Sequence, residues 1–120
     1  MSTLPFELKT SLKTIEVSGS SMSPKYEHGD WLLFRSIRFG SAGKAPKLHK
    51  LIALVGRVVV IERDEMPGIY LIKRAIRVED SGLWVEGDNK NASTDSRQWG
   101  VVRPHEIRGV VLLRYKTSAN

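Results

Sequence analysis

The chain of 120 residues contains no cysteine. That absence removes disulfides, thiolate metal sites and a cysteine nucleophile, and it fits a reducing compartment. Histidine is scarce as well. His28, His49 and His105 are scattered, with no metal-ligand spacing and no pattern that suggests a catalytic triad. No phosphate-cradling glycine loop occurs. No stretch approaches the roughly 20 apolar residues that a membrane helix requires. The longest candidate, Leu48 to Val60, is broken by His49, Lys50, Gly56 and Arg57. Met1 to Thr14 mix Leu4, Phe6, Leu8 and Leu12 with Glu7, Lys9 and Lys13, without the apolar centre or cleavage pattern of an export signal. The expectation is a chain with no transmembrane segment, no metal, no cofactor and a cytoplasmic location.

Length fits one domain, residues 1–120, with 1–14 as an N-terminal extension. Acids are outnumbered, 13 against 19 basic residues, for a formal charge of +6. Such a balance favours anionic partners. The excess is concentrated: Arg35, Arg38, Lys44, Lys47, Lys50 and Arg57 occur between residues 35 and 57 with no acid among them. Residues 36–57 read as an irregular basic region. With Leu48, Leu51, Ile52, Leu54 and Val55 beside Lys47 and Lys50, residues 35–57 offer an interfacial patch for peripheral membrane contact. A solvated basic loop is the plainer reading, and no helix-turn-helix pattern points to nucleic acid.

Short runs rich in Val, Ile, Leu and aromatics dominate the rest: Trp31–Phe34, Val58–Ile61, Ile69–Val78, Leu83–Val85 and Val110–Tyr115. Each is bounded by Gly, Asp, Ser or Pro, which is how strands read. Glu79-Asp80-Ser81-Gly82 looks like a hairpin turn, and Met66-Pro67-Gly68 separates two further strands. Helix is a candidate only in the N-terminal stretch and from Gly43 to Val55, with one helical turn at Pro104–Ile107. The fold class is mainly β, a single domain of small coiled antiparallel sheets.

Three segments carry chemistry. In Val17-Ser18-Gly19-Ser20-Ser21-Met22-Ser23-Pro24, small residues surround a serine whose backbone N–H stays free to donate to an oxyanion. A turn between strands would look the same. In Tyr70–Val78, strand alternation puts Leu71, Lys73 and Ala75 on one face and Arg74 on the other. If the Lys73 face is buried, desolvation lowers its pKa from about 10.4 toward neutrality and makes it a usable base. A lysine that snorkels to water is the alternative. In Gly87–Gly100, dense Asp, Asn, Ser and Arg content suggests a fixed hydrogen-bonded loop in which Asp95 pairs with Arg97 and Ser93 faces inward.

Together, Ser18–Asp30 (SGSSMSP, then Gly-Asp), Tyr70–Ala75 (YLIKRA) and Gly87–Val102 (GDNKNASTDSRQWGVV) resemble the signal peptidase I family of serine endopeptidases, in order and spacing. The resemblance implies a catalytic core shared with LexA-like proteins. It implies Ser21 as nucleophile, Lys73 as general base, and Ser93 as the hydroxyl that orients the lysine. It gives the backbone N–H of Ser21 as one oxyanion donor; the second comes from a serine side chain in some members, but Gly19 stands here with only its backbone. Asp95 and Arg97 would form a structural ion pair, and Val17, Met22, Leu71 and Ile72 would line shallow pockets for small side chains. The partner implied is a precursor protein or peptide. The short length and the ASTDSR run are similar to the small anchorless maturation proteases of nickel-type superoxide dismutase, which implies removal of a short leader. The alternatives are a membrane-surface signal peptidase lacking its anchor, and a LexA-like self-cleaving regulator.

Overall fold

The computed structural model describes residues 11–39 and 47–118. Most of the expected extension, residues 1–10, and residues 40–46 of the basic region lie outside the described residues. Six strands form: β1 (Leu12–Glu16), β2 (Trp31–Ser36), β3 (Val58–Ile61), β4 (Leu71–Glu79), β5 (Gly82–Glu86) and β6 (Ile107–Lys116). They join one antiparallel sheet in the order β1-β2-β6-β3-β4-β5. The mainly β, antiparallel expectation holds, with the strands in one six-stranded sheet rather than several small ones.

All four residues of β3 are buried, as a continuous Val-Val-Val-Ile run requires of a central strand covered on both faces. Successive residues then serve two cores. Val59, Ile61, Ala75, Val85 and Val110 pack with Leu51 and Leu54 on one face. Val60, Ile72, Phe34 and Val111 pack with Met22 and Tyr26 on the other. Leu51 and Leu54 come from the short helix Leu48–Ile52 and the turn after it, which places the expected helix of residues 43–55. Asp80 and Ser81 both take positive φ, 50° and 61°, so the β4–β5 connection is a tight hairpin turn matched to strand twist.

The helix candidate of the N-terminal stretch falls mostly on residues 1–10, outside the described residues; from Leu12 to Glu16 the chain is a strand, paired to β2 from Leu12↔Arg35 to Glu16↔Trp31. Its sequence, Leu-Lys-Thr-Ile-Glu, carries little apolar signal because an edge strand has one neighbour and little to bury. Ile69 and Tyr70, read as the start of a strand, are exposed loop residues, and pairing begins at Leu71.

Candidate active site

Ser21 sits in the connection between β1 and β2. Its base is closed by Val17 N–H donating to the Asp30 carbonyl and Gly29 N–H donating to the Val17 carbonyl, each at 2.8 Å. Within it, Ser23 N–H donates to the Ser20 carbonyl and Tyr26 N–H to that of Met22. Met22, only 1% exposed, anchors the loop in the core directly after the serine. Gly19 takes φ +83°, a conformation that costs a side-chain-bearing residue free energy.

Asp30, whose role the sequence did not disclose, fastens this loop to the far end of β6. Its buried carboxylate accepts from Glu27 N–H at 2.8 Å, Ser118 N–H at 2.9 Å and Arg114 Nη1 at 3.2 Å. The Glu27 bond above all, with Ser118 and Arg114, outweighs burial and holds Asp30 below the usual carboxylate range. The Gly29-Asp30 pair was the available signal.

Ser21 is half-buried. Among the described residues neither its hydroxyl nor its backbone N–H has a hydrogen-bond partner. The Gly19 N–H, by contrast, donates to His28 Nδ1 at 3.0 Å. It is therefore occupied in this state of the molecule, whereas the Ser21 N–H is open.

Lys73 lies across from Val59, on the face that also carries Leu71 and Ala75. Its residue is 4% exposed. Burial lowers its pKa; the Asp95 charge opposes that fall and Arg97 adds to it. The amine approaches Ser93 Oγ at 3.1 Å, and Ser93 Oγ lies 2.6 Å from Asp95 Oδ2. An ionised carboxylate can only accept, so the Ser93 proton goes to Asp95 and Ser93 accepts an N–H from Lys73. A neutral lysine held this way turns its lone pair away from Ser93.

Asp95 is the hub of the loop. Fully buried, it accepts from Gly87 N–H at 2.8 Å, from Arg97 N–H at 3.1 Å and from Arg97 Nε at 2.9 Å. Burial alone would raise its pKa. The Arg97 guanidinium, the Ser93 hydroxyl and the two backbone donors overcome that and hold it far below the usual carboxylate range. Asp95 also caps the short helix Ser96–Trp99, with Gln98 returning a bond to the Asp95 N–H.

Residues 87–89 join this loop to the serine. A Cβ on Gly87 would collide with Ser93 Oγ and lie 2.7 Å from the Ser21 carbonyl oxygen, so those two groups converge on one point that only glycine leaves open. Asp88 receives a two-pronged ion pair from Arg74, at 2.9 and 2.7 Å, on the opposite side of β4 from Lys73. Asn89 N–H donates to the Ser21 carbonyl at 2.9 Å, and its Nδ2 to the Ser20 carbonyl at 3.1 Å. Direct bonds thus connect Lys73, Ser93, Asp95 and Arg97, while Ser21 is held through its backbone carbonyl by Asn89.

Residues 76–116 match the signal peptidase, peptidase S26, family. The chain is 36% identical to mitochondrial inner membrane protease subunit 1 of Xenopus tropicalis, across 81% of this chain and 65% of that protein. It is 31% identical to the mitochondrial ATP-independent inner membrane protease subunit 1a of Arabidopsis thaliana, across 86% of this chain and 70% of the relative. The chain belongs to the signal peptidase S26 family. A probable signal peptidase I-1 of Synechocystis is 33% identical over 57% of this chain. The chain spans 65% of the frog relative's length.

Within this signal peptidase fold the four expected pocket residues are divided. Val17, Met22 and Ile72 are buried in one core, while Leu71 packs against the other. Strand alternation makes that division unavoidable for the neighbours Leu71 and Ile72. No helix of the described residues is long and apolar enough to cross a membrane.

Proposed function

We propose that the chain is a serine endopeptidase using a Ser21/Lys73 dyad to remove a short N-terminal leader after small residues. The observation that carries this reading is the buried Lys73 amine, oriented by Ser93 next to the loop that holds Ser21. In the first step, neutral Lys73 takes the Ser21 proton as Oγ bonds to the peptide carbonyl carbon. The oxyanion is met by the open Ser21 N–H. Lysine then gives the proton to the leaving amine as the C–N bond breaks. It next takes a proton from water as the water oxygen bonds to the acyl carbon, and returns that proton to Ser21 Oγ as the ester C–O bond breaks. The unformed bond between Ser21 and Lys73 is no obstacle, since catalytic hydrogen bonds commonly tighten only with substrate bound.

The substrate class proposed is the leader-bearing precursor of a nickel-type superoxide dismutase, on the strength of the ASTDSR run, with action in the cytoplasm. Peripheral membrane contact through residues 35–57 belongs to the same proposal, supported by the exposure of Leu48, Ile52 and Val55. Incubation of purified protein with precursor peptides, read by mass spectrometry, tests it. One cut after a small residue, absent with Ser21→Ala, is expected. Unchanged cleavage by Ser21→Ala would overturn the assignment.

A further inference from the structure

The turn that carries Ser21 is held unevenly. From Ser20 onward its bonds are dense: Asn89 donates to the Ser20 and Ser21 carbonyls, Ser23 N–H returns to the Ser20 carbonyl, and Met22 is sunk in the core. The approach to it is bare. Ser18, Gly19 and Ser20 are exposed, and a Cβ on Gly19 would meet nothing within 4 Å, so packing does not fix this stretch. Among the described residues a single hydrogen bond reaches Ser18 or Gly19. It is the Gly19 N–H donated to His28 Nδ1 at 3.0 Å.

The backbone around His28 is firm. His28 stands in the turn from Glu27 to Asp30, closed by Asp30 N–H donating to the Glu27 carbonyl at 3.0 Å. The buried Asp30 carboxylate accepts Glu27 N–H from the same turn, and Gly29 N–H donates to the Val17 carbonyl. Both flanks of His28 are therefore tied to the base of the serine loop, although its ring is exposed. With that backbone fixed, only two side-chain torsions remain to be ordered when the ring engages Gly19, a small entropic cost. Accepting at Nδ1 requires the ring in its neutral form with the proton on Nε2.

We propose that His28 is a positioning residue for Ser21, its Nδ1 pinning the Gly19 N–H and so fixing how the chain enters the nucleophile. This rests on the Ser21/Lys73 reading and adds a residue to it. Two peptide units separate the pinned Gly19 from Ser21, so the bond limits the directions open to the Ser21 N–H and to its Oγ. A small misplacement of reacting groups costs far more in rate than in stability. The Gly19 N–H accordingly serves the turn and not the oxyanion, which is left to the Ser21 N–H.

Cleavage of a leader-bearing precursor peptide by His28→Ala, His28→Phe and His28→Asn tests this, with amide hydrogen exchange at Gly19 measured on the same proteins. Asparagine offers a side-chain acceptor where Nδ1 stood, whereas phenylalanine keeps the ring and has no acceptor. All three should melt close to the unaltered chain, because the ring is exposed. The Ala and Phe variants should lose about tenfold in kcat, with KM little changed and Gly19 exchange faster. The Asn variant should keep most of both. An active Phe variant beside a slow Asn variant would overturn the role of the bond and leave only ring packing. Unchanged kcat in all three would overturn it while the dyad stands. A higher kcat in His28→Ala would also overturn it, since His28 would then be masking a second oxyanion donor. If the unaltered chain cleaves no precursor peptide, the peptidase reading falls and the positioning role falls with it, whereas the exchange rates still decide whether His28 holds Gly19.

Discussion

The amine of Lys73 approaches Ser93 Oγ at 3.1 Å, and the Ser93 proton is already committed to Asp95. Ser93 can therefore act toward the lysine only as an acceptor. It fixes where the amine sits without competing for its lone pair, and this makes Ser93 a positioning residue. Ser93→Ala is expected to lower kcat by about 10- to 100-fold, the range for a misplaced proton-transfer group. KM should change little, because in the proposed mechanism Ser93 acts on Lys73 and not on the substrate. An equal rise in KM would assign it to substrate binding instead.

Asn89 holds the serine loop from the other side, through Ser20 and Ser21. Asn89→Ala removes the bond to the Ser20 carbonyl and leaves its own backbone bond to Ser21. A fall in kcat of about tenfold, with little change in melting temperature, is expected from the loss of one exposed positioning bond. Kinetics beside a thermal melt separate this from simple unfolding.

Gly87 is required for space rather than for backbone freedom. Gly87→Ala would force Ser93 and the Ser21 carbonyl apart. Overpacking of this kind costs about 1–3 kcal/mol, and it falls on both halves of the site. Denaturant titration should show the loss of stability, and activity should fall with it. An active Gly87→Ala chain of native stability would show that the two groups need not converge.

Burial sets the pH behaviour of Lys73. Its folded pKa lies below the ordinary lysine value, so between the two the unfolded chain binds a proton that the folded chain does not. Stability contributed through this group therefore rises with pH across that window, and the burial cost is fully present below the folded pKa. The cleavage rate should rise over the same titration, as the neutral base accumulates. Lys73→Met should remove the cost and raise the melting temperature near neutral pH. Asp95 has the opposite sign. Its depressed pKa supplies stability above the ordinary carboxylate range that is lost as pH falls toward the folded value. Asp95→Asn is expected to destabilise the chain at neutral pH, by about 1–3 kcal/mol for poorly satisfied buried donors.

How much of this could be read beforehand follows from where the signal resides. β3 shows as a run of Val and Ile, because a strand buried on both faces leaves a continuous apolar trace, whereas in the apolar run of β6 only Val110 and Val111 are buried. The Lys73 face follows from alternation alone. β1 was missed because an edge strand need not be apolar, and pairing, not composition, makes it a strand. Ser93, Asp95 and Arg97 were legible as a polar loop, and their bonding agrees with it. The tasks of Asn89, Gly87 and Asp30 were not legible. Each acts on a segment distant in sequence, and only the fold brings Asn89 to Ser21 or Asp30 to Ser118. Adjacency in sequence likewise could not show that Leu71 and Ile72 serve opposite cores.

The dyad is tested most directly by cleavage of a leader peptide by purified Lys73→Met, compared with the unaltered chain from about pH 6 to pH 10. A folded, stabilised protein with no cleavage above background at any pH is expected, while the unaltered chain speeds up as pH rises. Cleavage by Lys73→Met within about tenfold of the unaltered rate would contradict it, because Ser21 would then draw its base from elsewhere.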